Sequence, residues 1–116
     1  MAFKKVTAIV DSFRLTYIEQ ALQAHAVSGF SMYSVKGRGH YFNAFKRDGL
    51  VEHVLICVYT SDKHAKSIAQ VIMSAADTGV TSEGLIAISP VDEMYWIKEN
   101  KPVSENEFNC LEVGHD

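Results

Sequence analysis

Phe30-Ser31-Met32-Tyr33-Ser34-Val35, then Lys36-Gly37-Arg38-Gly39-His40-Tyr41-Phe42-Asn43-Ala44-Phe45-Lys46-Arg47-Asp48-Gly49-Leu50-Val51, then Glu52-His53-Val54-Leu55-Ile56-Cys57-Val58-Tyr59 is the stretch on which the fold turns. Its two flanks are rich in β-branched and aromatic residues, and Val54, Leu55, Ile56 and Val58 are dense enough for a central strand. Two strands therefore follow each other with no helix between them. The insert that joins them carries Lys36, Arg38, Lys46 and Arg47 against a single acid, Asp48, on a chain whose formal net charge is -3. Its glycines can bring backbone N–H groups close to a ligand, as glycine-rich turns do around phosphates.

Outward from this stretch, the pattern repeats on both sides. Leu15 to Ala26 places Leu15, Ile18, Ala21 and Leu22 at helical spacing, and Lys4 to Val10 before it reads as a strand entering a core. On the other side, Thr60-Ser61-Asp62 offers N-cap chemistry to a helix with Ala65, Ile68, Ala69, Ile72, Met73 and Ala76 along one face. Asp77-Thr78-Gly79 ends that helix, and Leu85-Ile86-Ala87-Ile88 begins a fourth strand that stops near Pro90. Met94 to Ile97 continues that strand or pairs at an edge. Each half is strand-helix-strand, so the expected fold is α+β, a ferredoxin-like βαββαβ plait whose antiparallel sheet carries two helices on one face. The strands contribute Phe30, Met32, Tyr33, Leu55, Cys57 and Tyr59 in some split between the two sheet faces, which leaves the face without helices too apolar for water and points to oligomerisation.

Composition bounds the rest. A length of 116 residues suits one domain with its own core, and 47% hydrophobic residues with two prolines argue against disorder over most of it. No apolar run could span a bilayer, so a cytoplasmic protein is expected. Residues 1–98 are expected to form the domain and 99–116 a loosely held, polar, acidic tail. Cys57 reads as a small core hydrophobe, and Cys110 as an incidental thiol in the tail.

Catalytic signatures are missing: no His-Glu-x-x-His, Gly-x-Ser-x-Gly, Walker or Cys-x-x-Cys pattern occurs, and the expectation is a protein that is not an enzyme. His25, His40, His53, His64 and His115 lack metal-ligand spacing; only His40 and His53 could converge across a hairpin. The run from Lys36 to Phe42 superficially matches the basic-glycine-aromatic signature of RNA-recognition motifs. That signature belongs on the strand leading into the second helix, whereas Glu52 to Tyr59 intervenes here, and the net acidity also argues against nucleic acid. A small anion fits better, because Gly37-Arg38-Gly39 and the turn from Thr78 to Gly84 would emerge near one another in a pseudo-symmetric plait.

Lys5-Val6-Thr7-Ala8-Ile9-Val10, Val27-Ser28-Gly29-Phe30-Ser31, Val35-Lys36-Gly37-Arg38-Gly39, and Ala76-Asp77-Thr78-Gly79 with Glu83-Gly84 resemble the PII signal-transduction family over about residues 3 to 98. The resemblance implies a homotrimer with adenine nucleotides in clefts between subunits, and a T-loop at residues 40–51 that docks on a partner such as a membrane transporter or an enzyme. It places Ile9, Ser31 and Val58 around the adenine and ribose, Gly37, Arg38 and Gly39 at the phosphates, and Gly79, Ser82, Glu83 and Gly84 there from the neighbouring subunit. Leu85 stands where the family has a lysine and Trp96 where it has an arginine, so Lys98 is the cation that remains at that end. Arg38 replaces an aromatic residue, and the set favours ADP or AMP over ATP. The loop is short, lacks the family's modified tyrosine, and has Tyr41 in place of the glutamine that helps hold magnesium and oxoglutarate. His40, Tyr41, Phe42, Phe45, Lys46 and Arg47 would read the partner, with bicarbonate a further ligand near Gly39, His40 and Arg47. The alternative is a trimeric metal-tolerance protein similar to CutA, holding copper or zinc through His40, His53 or Cys110.

Overall fold

A computed structural model describes residues 3–27, 29–37, 51–77 and 84–104. The elements run β1 (Phe3–Val10), α1 (Leu15–Ala24), β2 (Ser31–Gly37), β3 (Val51–Ser61), α2 (Ala65–Ala76), β4 (Leu85–Val91), β5 (Tyr95–Trp96) and β6 (Lys101–Pro102), with a 3₁₀ turn before each helix. The four long strands form an antiparallel sheet in the order β2-β3-β1-β4. This is the expected ferredoxin-like α+β plait.

Strand alternation sorts the two faces. Val6, Ala8 and Val10 pair with Val58, Ile56 and Val54, and all six are buried with Ile18 and Leu22 of α1 and Ile68, Ala69 and Ile72 of α2. Side chains one residue out of step lie on the opposite face. There Tyr33, Leu55, Ile9 and Leu85 make one cross-strand row, and Ser31, Cys57, Thr7 and Ala87 the next. Cys57 is thus partly exposed on the open face rather than in the core, because its neighbours Ile56 and Val58 hold the core positions.

Three local expectations change. Thr60 and Ser61 belong to β3, where the Phe3 to Ser61 pairing prolongs the ladder, so Ser61 makes no side-chain cap and its hydroxyl is buried without a hydrogen-bond partner among the described residues. β4 continues through Pro90 to Val91 because it is an edge strand, where a missing N–H need not interrupt a ladder. Residues 99–104 do not begin as a detached tail: Lys101–Pro102 pairs with Tyr95–Trp96, and Val103 is buried.

α1 ends in a double hydrogen-bonded cap, Ala26 N–H to Gln23 O and Val27 N–H to Leu22 O, each 3.0 Å. Ala26 carries the left-handed turn at φ 61°, a position where glycine avoids a Cβ clash. α2 is held from outside the helix. Arg14 donates through Nε and Nη2 to the Ala75 carbonyl, at 3.0 and 2.7 Å, and its guanidinium lies 4.2 Å from the Tyr17 ring centre. A cation there also meets the negative end of the helix dipole.

Two stability changes of opposite sign follow. Ala26→Gly should stabilise the fold by about 0.5–1 kcal/mol, since the αL penalty at this position exceeds the entropic cost of glycine. Arg14→Ala should destabilise it by about 1.5–3 kcal/mol, the range for hydrogen bonds to charged groups, with Arg14→Lys recovering only part. Denaturant titration reads both; an unchanged midpoint for Arg14→Ala would show that α2 needs no external anchor.

Candidate functional site

The end of β1, the start of β4 and the last turn of α2 enclose a recess of about 240 Å³ lined by Ile9, Val10, Met73, Ala76, Asp77, Gly84, Leu85 and Ile86. Its floor is set by the Ile9 to Leu85 pairing. Gly84 sits against β1 so closely, at φ +149°, that a Cβ would lie 2.4 Å from the Ile9 carbonyl oxygen. Glycine is therefore required at this corner. The lining is apolar except for Asp77, the first residue past α2, whose N–H donates to Met73 O at 3.1 Å. Ligand pockets usually span about 300–1,000 Å³, so a nucleotide-sized molecule would project beyond this recess.

One step past Val10 and Val54 in the β1–β3 ladder, Asp11 Oδ1 approaches His53 Nε2 at 3.1 Å, with the His53 side chain 2% exposed and that of Asp11 15% exposed. His53 also pairs with Val35, two residues before the Gly37 to Val51 pair that begins the loop. The contact therefore ties the recess end of β1 to the stem of the cationic loop. The structure sets His53 beside Asp11; His40, its expected partner in a metal pair, lies outside the described residues. Among the described residues, no three His, Cys, Asp or Glu side chains come together as a metal site.

Of the nucleotide-site residues expected from sequence, Ile9 and Gly84 meet in the recess, and Gly37 closes β2 at the loop stem. Ser31 is exposed at the far end of β2, opposite Cys57. Val58 is wholly buried among core residues on the helix side and does not line the recess. Lys98 is in the β5–β6 turn, beyond the other end of β4. Arg38, Gly39, Gly79, Ser82 and Glu83 lie outside the described residues, as do loop residues His40, Tyr41, Phe42, Phe45, Lys46 and Arg47, and Cys110. The sequence reading overlooked Met73 and Ala76, counted as core because they share the apolar stripe of α2; Met73 is instead 46% exposed at the recess.

A second recess, about 550 Å³, lies between the helices against Ala21, His25, Ser67, Gln70, Val71, Ser74 and Ala75. The His25 Nδ1 atom is 2.9 Å from the Ala21 carbonyl, to which it can only donate. This helix-side groove is separate from the loop stem.

The family model described as "Nitrogen regulatory protein P-II" matches residues 3–101. Similar relatives include the nitrogen regulatory protein P-II of Cereibacter sphaeroides, 34% identical over 102 residues, covering 82% of this chain and 91% of that protein. The protein of the same name from Rhizobium meliloti is 30% identical with the same coverage. Among solved structures, Arabidopsis thaliana PII bound to citrate superposes with a TM-score of 0.75 at 24% identity, over 88% of this chain and 89% of that one, a likeness of fold.

Gly84→Ala should push β4 away from β1 at the recess. A loss of about 1–3 kcal/mol is expected for a strained backbone site, with faster amide exchange at Ile9 and Leu85 than at Val6 and Ile88. Uniform exchange would place the strain elsewhere.

Proposed function

From the premise that this chain belongs to the nitrogen regulatory protein P-II family, a family of signal-transduction regulators, we propose that it senses an adenine nucleotide and controls a partner protein through residues 40–51. The observation that carries this reading is the convergence, at one end of the sheet, of the apolar recess at Ile9, Gly84 and Leu85 with the β2–β3 loop stem at Gly37 and Val51. A flat base suits the recess. The phosphates would reach toward Gly37, Arg38 and Gly39; because Asp77 and Gly84 line the recess together with Ile9 of the same chain, Gly79, Ser82 and Glu83 between them are proposed to complete that chain's own site rather than a neighbour's.

Charge chooses among nucleotides. Leu85 and Asp77 supply no cation at the recess, so ADP or AMP is favoured over ATP, with Arg38 and Lys98 as the cations offered to phosphate. Bicarbonate is the small anion proposed near Gly39, His40 and Arg47. Occupancy would act by changing the ordered population of the loop, because contacts at its stem favour one arrangement over others. The proposed partner is a membrane transporter or an enzyme, met through Tyr41, Phe42, Phe45 and Lys46. The protein is proposed to act in the cytoplasm, without catalytic activity or nucleic-acid binding; no helix among the described residues is long and apolar enough to cross a membrane.

The open sheet face supports a homotrimer. Tyr33 and Leu85, at the two ends of one row across it, are 58% and 49% exposed, and water is a poor partner for such a row. Light scattering should give three times the 12.9 kDa chain mass.

Calorimetry with ATP, ADP, AMP, cyclic AMP and bicarbonate tests the ligand claim. ADP or AMP should bind more tightly than ATP, and Gly37→Val should abolish the heat by blocking backbone approach. Absence of binding by all five would sink the proposal.

A further inference from the structure

The groove of about 550 Å³ on the helix layer exists because the side chains along it are short. Ala21 of α1 faces Ser67, Ser74 and Ala75 of α2 across a gap that Val71 and the His25 ring only partly fill. Val71 and Ala75 pack against the buried core yet remain half-buried at the groove. Apolar surface there is open to a further side chain.

Charge around the groove has one sign. Lys66 stands four residues before Gln70 on α2, so the two share a side of the helix, and Lys63 is in the 3₁₀ turn just ahead of it. Both lysines are exposed. No Asp or Glu occurs between Asp62 and Asp77, and Asp62 already has Lys4 Nζ 3.9 Å from its carboxylate.

The chain itself holds a segment of matching chemistry. Residues 105–116 carry Glu105, Glu107, Glu112 and Asp116 without a lysine or arginine, and place Phe108, Leu111 and Val113 among them. They follow Ser104, directly after the β5–β6 hairpin. That hairpin comes after β4 ends at Val91, opposite Phe3, and α2 starts soon after β3 ends at Ser61, also opposite Phe3. The segment therefore sets out from the end of the sheet where the two lysines stand. Fully extended it could reach about 40 Å, whereas the 12 residues of α2 span about 18 Å.

We propose that residues 105–116 dock in the helix groove of their own chain, with Phe108 and Leu111 against Ala21, Val71 and Ala75, and Glu105 and Glu107 opposite Lys63 and Lys66. The three-residue spacing of Phe108 and Leu111 lets one helical turn present both to the groove. Reach, charge and apolar content together select this segment as the occupant. The groove is on the face away from the open side of the sheet, so the docking is independent of the proposed nucleotide and of the proposed trimer.

NMR on the full chain provides the test. Nuclear Overhauser effects from the Phe108 ring and the Leu111 methyls to the methyls of Val71, Ala21 and Ala75 are expected. In a mixture of labelled and unlabelled chains refolded together, they should stay within one chain. Phe108→Ser should abolish them and move the Val71 methyl signals, while the signals of Val6 and Val58 in the core stay in place. Lys63→Glu with Lys66→Glu should lower the ratio of docked to free segment, read from the averaged Val71 shift, about threefold to tenfold, as expected for two partly screened surface ion pairs. A full chain without these effects overturns the proposal, as does a Val71 signal indifferent to Phe108→Ser. A ratio unmoved by reversing both lysines overturns the charge pairing. Effects found only between chains overturn the assignment to the chain's own segment and give the groove to a second copy.

Discussion

The double pairing of β1, antiparallel to β3 on one edge and to β4 on the other, is the constraint on which everything else rests. It commits both neighbours to the register of β1. Val6, Ala8 and Val10 face the helices, so their partners do too, and α1 and α2 must cover that surface. The same parity leaves Thr7 and Ile9 on the opposite side, with Cys57, Leu55, Ala87 and Leu85. A slip of one residue would exchange the two faces completely.

That constraint also makes the site. β1 stops at Val10 while β3 continues past it toward the loop, so the strand end becomes a corner where Asp11 can reach His53 and Gly84 can lie against Ile9. Arg14, just beyond, holds the last turn of α2 by the Ala75 carbonyl and so sets where Ala76 and Asp77 stand. Recess, loop stem and helix end are consequently parts of one mechanical unit.

At the far end, the hairpin β5–β6 is small, but its chemistry is telling. Tyr95 donates to Glu93 at 2.8 Å, and this bond, with the nearby carboxylate charge, raises the tyrosine pKa above its ordinary value. Asn100 N–H to Trp96 O and Val103 N–H to Met94 O also hold the hairpin, with Val103 buried at its root.

Much of this was legible in the residues. Alternation in Lys4 to Val10 and Glu52 to Tyr59, and the helical stripes at Ile18 and Leu22 and at Ile68 and Ile72, set the βαββαβ order, because periodicity is a local property that backbone geometry turns directly into a buried face. Ile9, Gly37 and Gly84 could be singled out from their motifs, and the structure places them at one end of the sheet. Tertiary structure alone decided that Met73 lines a recess while Ile72 beside it fills the core, that Cys57 faces outward, that Val58 stands apart from the recess, and that His53 meets Asp11. Those outcomes depend on register, on where β1 ends and on how closely Gly84 approaches it. Such distances join residues far apart in the chain, and no local pattern encodes them.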